Sequence, residues 1–523
     1  MSFMRAWRSR LDAGVDPEFL VTIVVGHPLR GWDFKRHPSH LNGSICATSY
    51  YDSFDTNHAT FFPTIINEME VTTGIDPLKR SLEEIAVDIE LSSDAEVPID
   101  ILDTAGTTML WGQVDLWMPG MTLEQAIPLA IGRITEGKYD RRTGKTTMHL
   151  ADGDSVREVK YPPGDMMLDR DSFSQIPVTV EGRYPRTVIM GRFPYPILCP
   201  QVSADPRLYY VCDHPLAQAP VSVEVNGTPT TQPYRILTVL REGPRQSALE
   251  NEPYITLIEF SSAVDTTLPF ITCSGGEGLR LPAHPALVLL EQYGQYRVER
   301  GSRDLLLSSD IDSSILVNAS DNVLTIVKDR ILRQTPYIGG FRQGEFVVQG
   351  LDAIPFSMPL EVGINLFDSD DAEGGQTDLE SVYNAIEITY QRNIFSQSLI
   401  DVSRQVYALD SRSATGTLAT KLRQSEYLYG RRFLRIDFPD VIANDLSVPA
   451  VIPKVAEQML NLSAFQRQKY TYPCDIDLAL TLPFNAVTTL TDPTRALDAR
   501  AVRFISRTIR RNKVTTTFLS EDT

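Results

Sequence analysis

The sequence predicts a mainly β protein with a minor α part (α+β), divided into several domains. Three observations carry this. The chain has 523 residues, enough for about three or four domains at roughly 150 residues each. Short stretches alternate apolar and polar residues one by one, as a half-buried strand requires. The 34 prolines and 31 glycines are spread between those stretches, where turns are needed, and do not gather in one linker.

Segment 1–170 reads as an N-terminal β-domain. Residues 19–25 form a short, nearly all-apolar run closed by Gly26, and Ile85, Val87, Ile89 and Leu91 alternate with Ala86, Asp88 and Glu90. Residues 131–135 and 146–150 predict a hairpin whose turn runs from Gly137 to Gly144. Residues 33–58 are polar and aromatic without periodicity and read as a long excursion, a kind of segment that is often functional. Segment 171–235 reads as a small β-module. Val221, Val223 and Val225 alternate ahead of Asn226-Gly227, a strong hairpin signal.

Segment 236–375 reads as a mixed α+β domain, with short helices at 287–290 and 324–332 and a strand at 346–351. The acidic, glycine-bearing stretch 368–378 reads as a mobile loop or boundary. Segment 376–523 is a C-terminal β-domain with one helix. In it Ile386, Ile388 and Tyr390 alternate as a strand, and Ile452, Val455, Ala456, Met459 and Leu460 form a helical stripe with Pro453 near its start. Ile476, Leu478, Leu480 and Leu482 alternate again and predict a further strand. A closing hairpin runs over 502–509, turns at 511–513 and returns over 514–519.

With 67 acidic and 49 basic residues the formal net charge is −18. Binding nucleic acid by general neutralisation of phosphates, which needs clustered Lys and Arg, is thereby excluded. The acidic balance favours solubility, or a passage along which DNA moves without sticking. Cys46, Cys199, Cys212, Cys273 and Cys474 are far apart, form no CxxC pair, and are expected as reduced, mostly buried thiols. Residues 1–10 lack the apolar centre of a signal peptide, and no run reaches the roughly 18 apolar residues of a membrane span. The chain is expected to be made and kept soluble in a cytoplasm.

No chemical motif survives comparison with its bland alternative, so no catalytic, cofactor-binding or metal residue is assigned. The run 137–146 has six residues between Gly137 and Gly144 where a phosphate-cradling loop has four, and its flanks read as strands. His37 and His40, near His27, Asp33, Cys46 and His58, are separated by Pro38 and lack a second ligand pair. The run 368–374 departs from a calcium loop at Ala372, Glu373 and Leu379. Asp88 and Glu90 read as the solvated face of their strand.

Four stretches, in their order along the chain, resemble the tail hub proteins of tailed phages and gene transfer agents. The first is Phe61-Phe62-Pro63, Asp76-Pro77-Leu78, Val87, Leu110-Trp111-Gly112 and Gly132-Arg133-Ile134, similar to the opening β-domain of such hubs. The second is Ile189-Met190-Gly191, Tyr209-Tyr210-Val211-Cys212-Asp213-His214-Pro215 and residues 221–227, which resembles their small β-module. The third is residues 386–393 with Phe395 and Gln397. The last runs from the Ala456 helix through Tyr472 and Ile476 to the terminal hairpin.

The resemblance implies tube-like β-sandwich or barrel domains plus small β-modules, and a homotrimer whose two tube-like domains per chain make a pseudo-sixfold ring. It implies a non-enzymatic hub of a tail tip or baseplate in the virion, assembled in the host cytoplasm. That hub would join the hexameric tail tube to threefold tip components and line the DNA channel. Its partners would be distal tail or tail tube proteins, a tape measure protein, and tip fibre or spike proteins, with no sequence-specific nucleic acid binding and no cofactor. If the chain lines a channel, acidic residues are expected to prevail on the wall, with Arg510, Arg511 and Lys513 turned toward an acidic neighbour subunit. Two other readings compete. A receptor- or carbohydrate-binding tail component would use Trp32, Phe34, Tyr50, Tyr51 and Phe54. A glycan hydrolase on a β-scaffold would need a carboxylate pair set by spacing in space.

Overall fold

The computed structural model describes residues 7, 10, 13–25, 45–48, 54–55, 60–61, 65–92, 110–140, 142–152, 158–161, 167–170, 173–184, 186–193, 196–240, 254–264, 271–278, 285–308, 315–317, 321–367, 373–390, 405–438, 448, 450–511 and 513–521. Across them the chain is mainly β with a minor helical part.

Alternation builds the first large sheet. In Ala86–Leu91, Val87, Ile89 and Leu91 are buried while Ala86 and Asp88 face out. The sheet is antiparallel throughout, in the order Ile45–Thr48, Glu18–Val25, Leu110–Trp117, Ile127–Asp140, Lys145–Asp152, Ala86–Leu91. The hairpin expected near 137–144 is present, but its strands run on to Asp140 and Lys145, so the turn is much tighter. Residues 45–48 correct the reading of 33–58 as an excursion, because they pair with Glu18–Val25. Four residues are too few to display a period.

The closing hairpin, Leu497–Arg510 with Lys513–Ser520, is the centre of the second, nine-stranded sheet. Gln468–Pro473 and then Glu373–Gln376 extend it on one side. Ala486–Asp492 pairs with the first half of Leu497–Arg510, and Glu70–Asp76 with its second half, Ser506 standing opposite Gly74. An early strand thus joins the last two strands of the chain in one sheet. Val87, Val114 and Leu150 of the first sheet and Tyr472, Phe504 and Phe518 of the second belong to a single hydrophobic core.

Two further expectations are corrected here. Residues 373–376 of the acidic stretch form an edge strand; residues 368–372 lie outside the described residues. Residues 476–481 form the helix Ile476–Thr481 where a strand was expected. Ile476, Ala479 and Leu482 are all buried, three apart, which a helix achieves and a strand does not.

Between the two halves of the large core the chain builds smaller ones. Pro285–Leu287 runs into the π-turns of Val288–Tyr293, and Val323–Thr325 into those of Ile326–Ile331. They pack with the hairpin Tyr337–Arg342 and Glu345–Gly350. The sheet Gln405–Leu409, Ala385–Tyr390, Phe433–Phe438 packs against helices Gly416–Tyr429 and Val451–Ser463. Ile452, Val455, Ala456 and Leu460 of the second helix are buried, as their spacing predicts.

Candidate functional site

The motif Tyr209-Tyr210-Val211-Cys212-Asp213-His214-Pro215 forms a buried polar knot at the end of the Leu208–Cys212 strand. Tyr210, Asp213 and His214 are each 2 % exposed or less. The Tyr210 hydroxyl donates to Asp213 Oδ1 at 3.0 Å and accepts the Thr187 N–H at 3.0 Å. The Asp213 N–H returns to the Thr187 carbonyl at 2.9 Å. Arg186, itself buried, stands 3.8 Å from Asp213 Oδ2.

His214 Nε2 accepts the Ile189 N–H at 3.0 Å, and its Nδ1 lies 2.8 Å from the Pro215 carbonyl. A backbone amide only donates and a carbonyl only accepts, so the proton sits on Nδ1 and the ring is neutral. Burial lowers the His214 pKa below its ordinary value and favours the same form. The His214 carbonyl accepts from Thr256 Oγ1 at 2.6 Å. One residue therefore ties the Val188–Met190 strand to the Tyr254–Phe260 strand. With both nitrogens engaged, the imidazole is structural, and protonation of Nε2 would break its bond to the Ile189 N–H.

The other groups singled out in the sequence fall elsewhere. Residues 137–146 are a hairpin end, with the Asp140 carboxylate accepting from the Arg142 N–H at 2.9 Å and the Thr143 hydroxyl at 2.8 Å. Asp88 stands 2.7 Å from His149 Nδ1 and Glu90 3.7 Å from Lys145 Nζ, both on the solvent side of the first sheet. His27, Asp33, His37, His40 and His58 lie outside the described residues, as do Trp32, Phe34, Tyr50 and Tyr51, and of Phe54 only the backbone is described. Cys199, Cys212, Cys273 and Cys474 are free and buried, and burial raises the Cys474 thiol to about 12.

The basic turn corrects an expectation. Arg510 Nη2 lies 2.7 Å from Glu70 and Arg511 Nη2 2.5 Å from the buried Glu18, so both find their acidic partners within the chain. Sequence reading also missed Arg467, 3 % exposed, whose guanidinium donates to the carbonyls of Leu462 at 2.7 Å and Ser520 at 2.5 Å. It closes the C-terminal end of the Val451–Ser463 helix onto the last strand. An arginine just past a helical stripe was the available signal.

No family model matches the chain, and no curated protein matches it. Among solved structures it is similar to the 43 kDa tail protein of prophage MuSo2 from Shewanella oneidensis, at 9 % identity over 96 % of this chain and 99 % of that one, with a TM-score of 0.40. A tail protein from Neisseria meningitidis MC58 gives 9 % identity over 96 % of each chain and a TM-score of 0.38. A chain of the lidded Francisella PdpA–VgrG complex gives 8 % identity over 99 % of this chain and 55 % of that one, with a TM-score of 0.38.

Proposed function

We propose that the chain is a non-enzymatic structural subunit of a bacteriophage tail tip or baseplate: a homotrimeric hub that joins the tail tube to threefold tip components and lines the DNA channel. The observation that carries this is the order of the four hub-like stretches together with the way the outer two combine. Asp76 of the opening stretch ends the Glu70–Asp76 strand, which pairs with the closing strand at Ser506, and Val87 and Leu110 of the opening stretch share one hydrophobic core with Phe504 of the closing one. In this reading segments 1–170 and 376–523 supply the tube-like domains, 171–235 the small module, and 236–375 the mixed domain between them.

Assembly is supported by surface left uncovered. Val406 and Phe433, on the two edge strands of the small sheet, and Tyr427 and Leu428 at the end of Gly416–Tyr429 are exposed. Among the described residues neither edge strand has an outer partner. Open edges carry unpaired backbone groups that natural proteins cover, and a closed ring covers them. Electron cryomicroscopy of assembled particles tests the proposal. Three copies around the channel are expected; a single copy, or copies held away from the channel, overturns it.

A further inference from the structure

A cavity of about 630 Å³ opens where three parts of the chain meet: the 77–80 turn, the end of the helical stretch 323–334, and the unit built on Ala385–Tyr390. Leu82, Leu332, Ile338, Leu434, Ile436 and Met459 give it an apolar side. Its polar side is basic, with Lys79, Arg80, Lys328 and Arg333 against Glu84 and Asp329. That local excess is opposite in sign to the −18 of the whole chain.

Of the carboxylates nearby, Glu84 and Asp76 are paired with lysines, and Asp329 is exposed. Glu84 accepts from Lys328 Nζ at 2.6 Å, and Asp76 lies 3.7 Å from Lys79 Nζ. Arg80 takes a left-handed backbone conformation, φ 56°, and its guanidinium donates to the backbone carbonyls of Arg333, at 2.7 Å, and Thr335. Its Nε is buried with no hydrogen-bond partner. No carboxylate among the described residues pairs with Arg80 or Arg333. Burial and the neighbouring Arg333 charge lower the Arg80 pKa to about 10, so the guanidinium stays charged near neutrality.

The half-buried Arg80 guanidinium, held beside the exposed Arg333 without a counter-ion, is costly to keep charged, and an oxyanion between the two offsets both charges. We propose that this cavity binds an organic oxyanion, a carboxylate or phosphate headgroup on an apolar body, with the headgroup on Arg80 and Arg333 and the body against the apolar side. The cavity volume falls within the range of about 300–1,000 Å³ typical of small-molecule sites. This inference does not depend on the tail reading.

Calorimetric titration of the full chain with octanoate, octyl phosphate and octanol tests it. An octyl anion is expected to bind with a Kd of about 1 mM or tighter, and octanol about tenfold more weakly because it brings no charge. Arg333→Gln keeps the backbone carbonyl that Arg80 uses and should weaken anion binding about tenfold; Arg80→Gln is the second variant. Binding of octanol as tight as that of the anions, no binding of either anion, or unchanged anion binding in both variants overturns the proposal.

Discussion

The 76–80 turn and the 140–144 turn are built alike and end in opposite surroundings. In the first, Asp76 Oδ1 accepts the N–H groups of Leu78 and Lys79, each at 3.0 Å; in the second, Asp140 accepts from Arg142 and Thr143. Each closes through a left-handed residue, Arg80 at φ 56° and Gly144 at φ 68°. Yet Arg80 is pressed against carbonyls of Arg333 and Thr335, whereas Arg142 stands in solvent. An aspartate anchor and a left-handed residue are enough to make a turn. Whether its cation is hydrated or desolvated depends on the distant chain laid over it, and local sequence does not encode that.

The same contrast separates two histidines, and there it is largest. His214 is fully buried with both ring nitrogens bonded; the side chain of His149 is 41 % exposed beside an exposed Asp88. His214→Ala should cost about 3 kcal/mol, because it leaves a cavity and two unpaired backbone groups, and His149→Ala less than about 0.5 kcal/mol. Hydrogen exchange at the Ile189 amide reads the first, with about a hundredfold acceleration expected. The pH response follows from the lowered pKa. As pH falls below the ordinary histidine value of 6.5, the unfolded chain takes up its proton before the folded knot does. The His214 contribution is therefore complete above that value and declines below it, until the folded ring itself protonates. Ile189 protection that falls no further between about pH 7.5 and 5.5 in the wild type than in His214→Ala would remove histidine from the account.

The two turns give a smaller difference. Arg80→Met is expected to lose about 2 kcal/mol, since two backbone carbonyls lose charged donors while the desolvated cation is relieved. Arg142→Met should leave thermal unfolding unchanged. Equal effects of the two substitutions would show that the overlying chain contributes nothing beyond the turn itself.

Much of the strand content was legible because burial on one face imposes a period of two, as at Ala86–Leu91, and because the Val451–Ser463 stripe has a helical period. Ile476–Thr481 was misread for a related reason. Ile476, Leu478, Leu480 and Leu482 fit a period of two, and over so few residues helix and strand patterns overlap. Asp475 at the helix start and Pro483 just past its end were the signals that favour a helix. Pairing between Gly74 and Ser506 had no local signature at all, because register between distant strands is set by the assembled core. The polar knot was visible only as a motif. Its chemistry needed the Thr187 and Ile189 amides, which the fold brings from about 25 residues away in sequence.

The smallest effect tests the turn that sequence described most fully. Asn226 and Gly227, at φ 53° and 78°, join Ser222–Val225 to Thr228–Pro229. Two successive positive φ values are those of the hairpin turn that Asn-Gly favours. A Cβ placed on Gly227 meets no atom within 4 Å, so packing does not enter. Only the backbone conformation remains, and it disfavours any residue with a Cβ. Gly227→Ala should therefore cost about 1 kcal/mol, and Gly227→Asn less, because a short amide side chain tolerates the left-handed region. Faster exchange of the Val225 and Thr228 amides reads the loss. An alanine cost of about 3 kcal/mol or more would mean that the turn is held by contacts beyond its own backbone, as the buried knot is. An alanine that costs no more than asparagine would mean that the turn abandons its left-handed geometry when substituted.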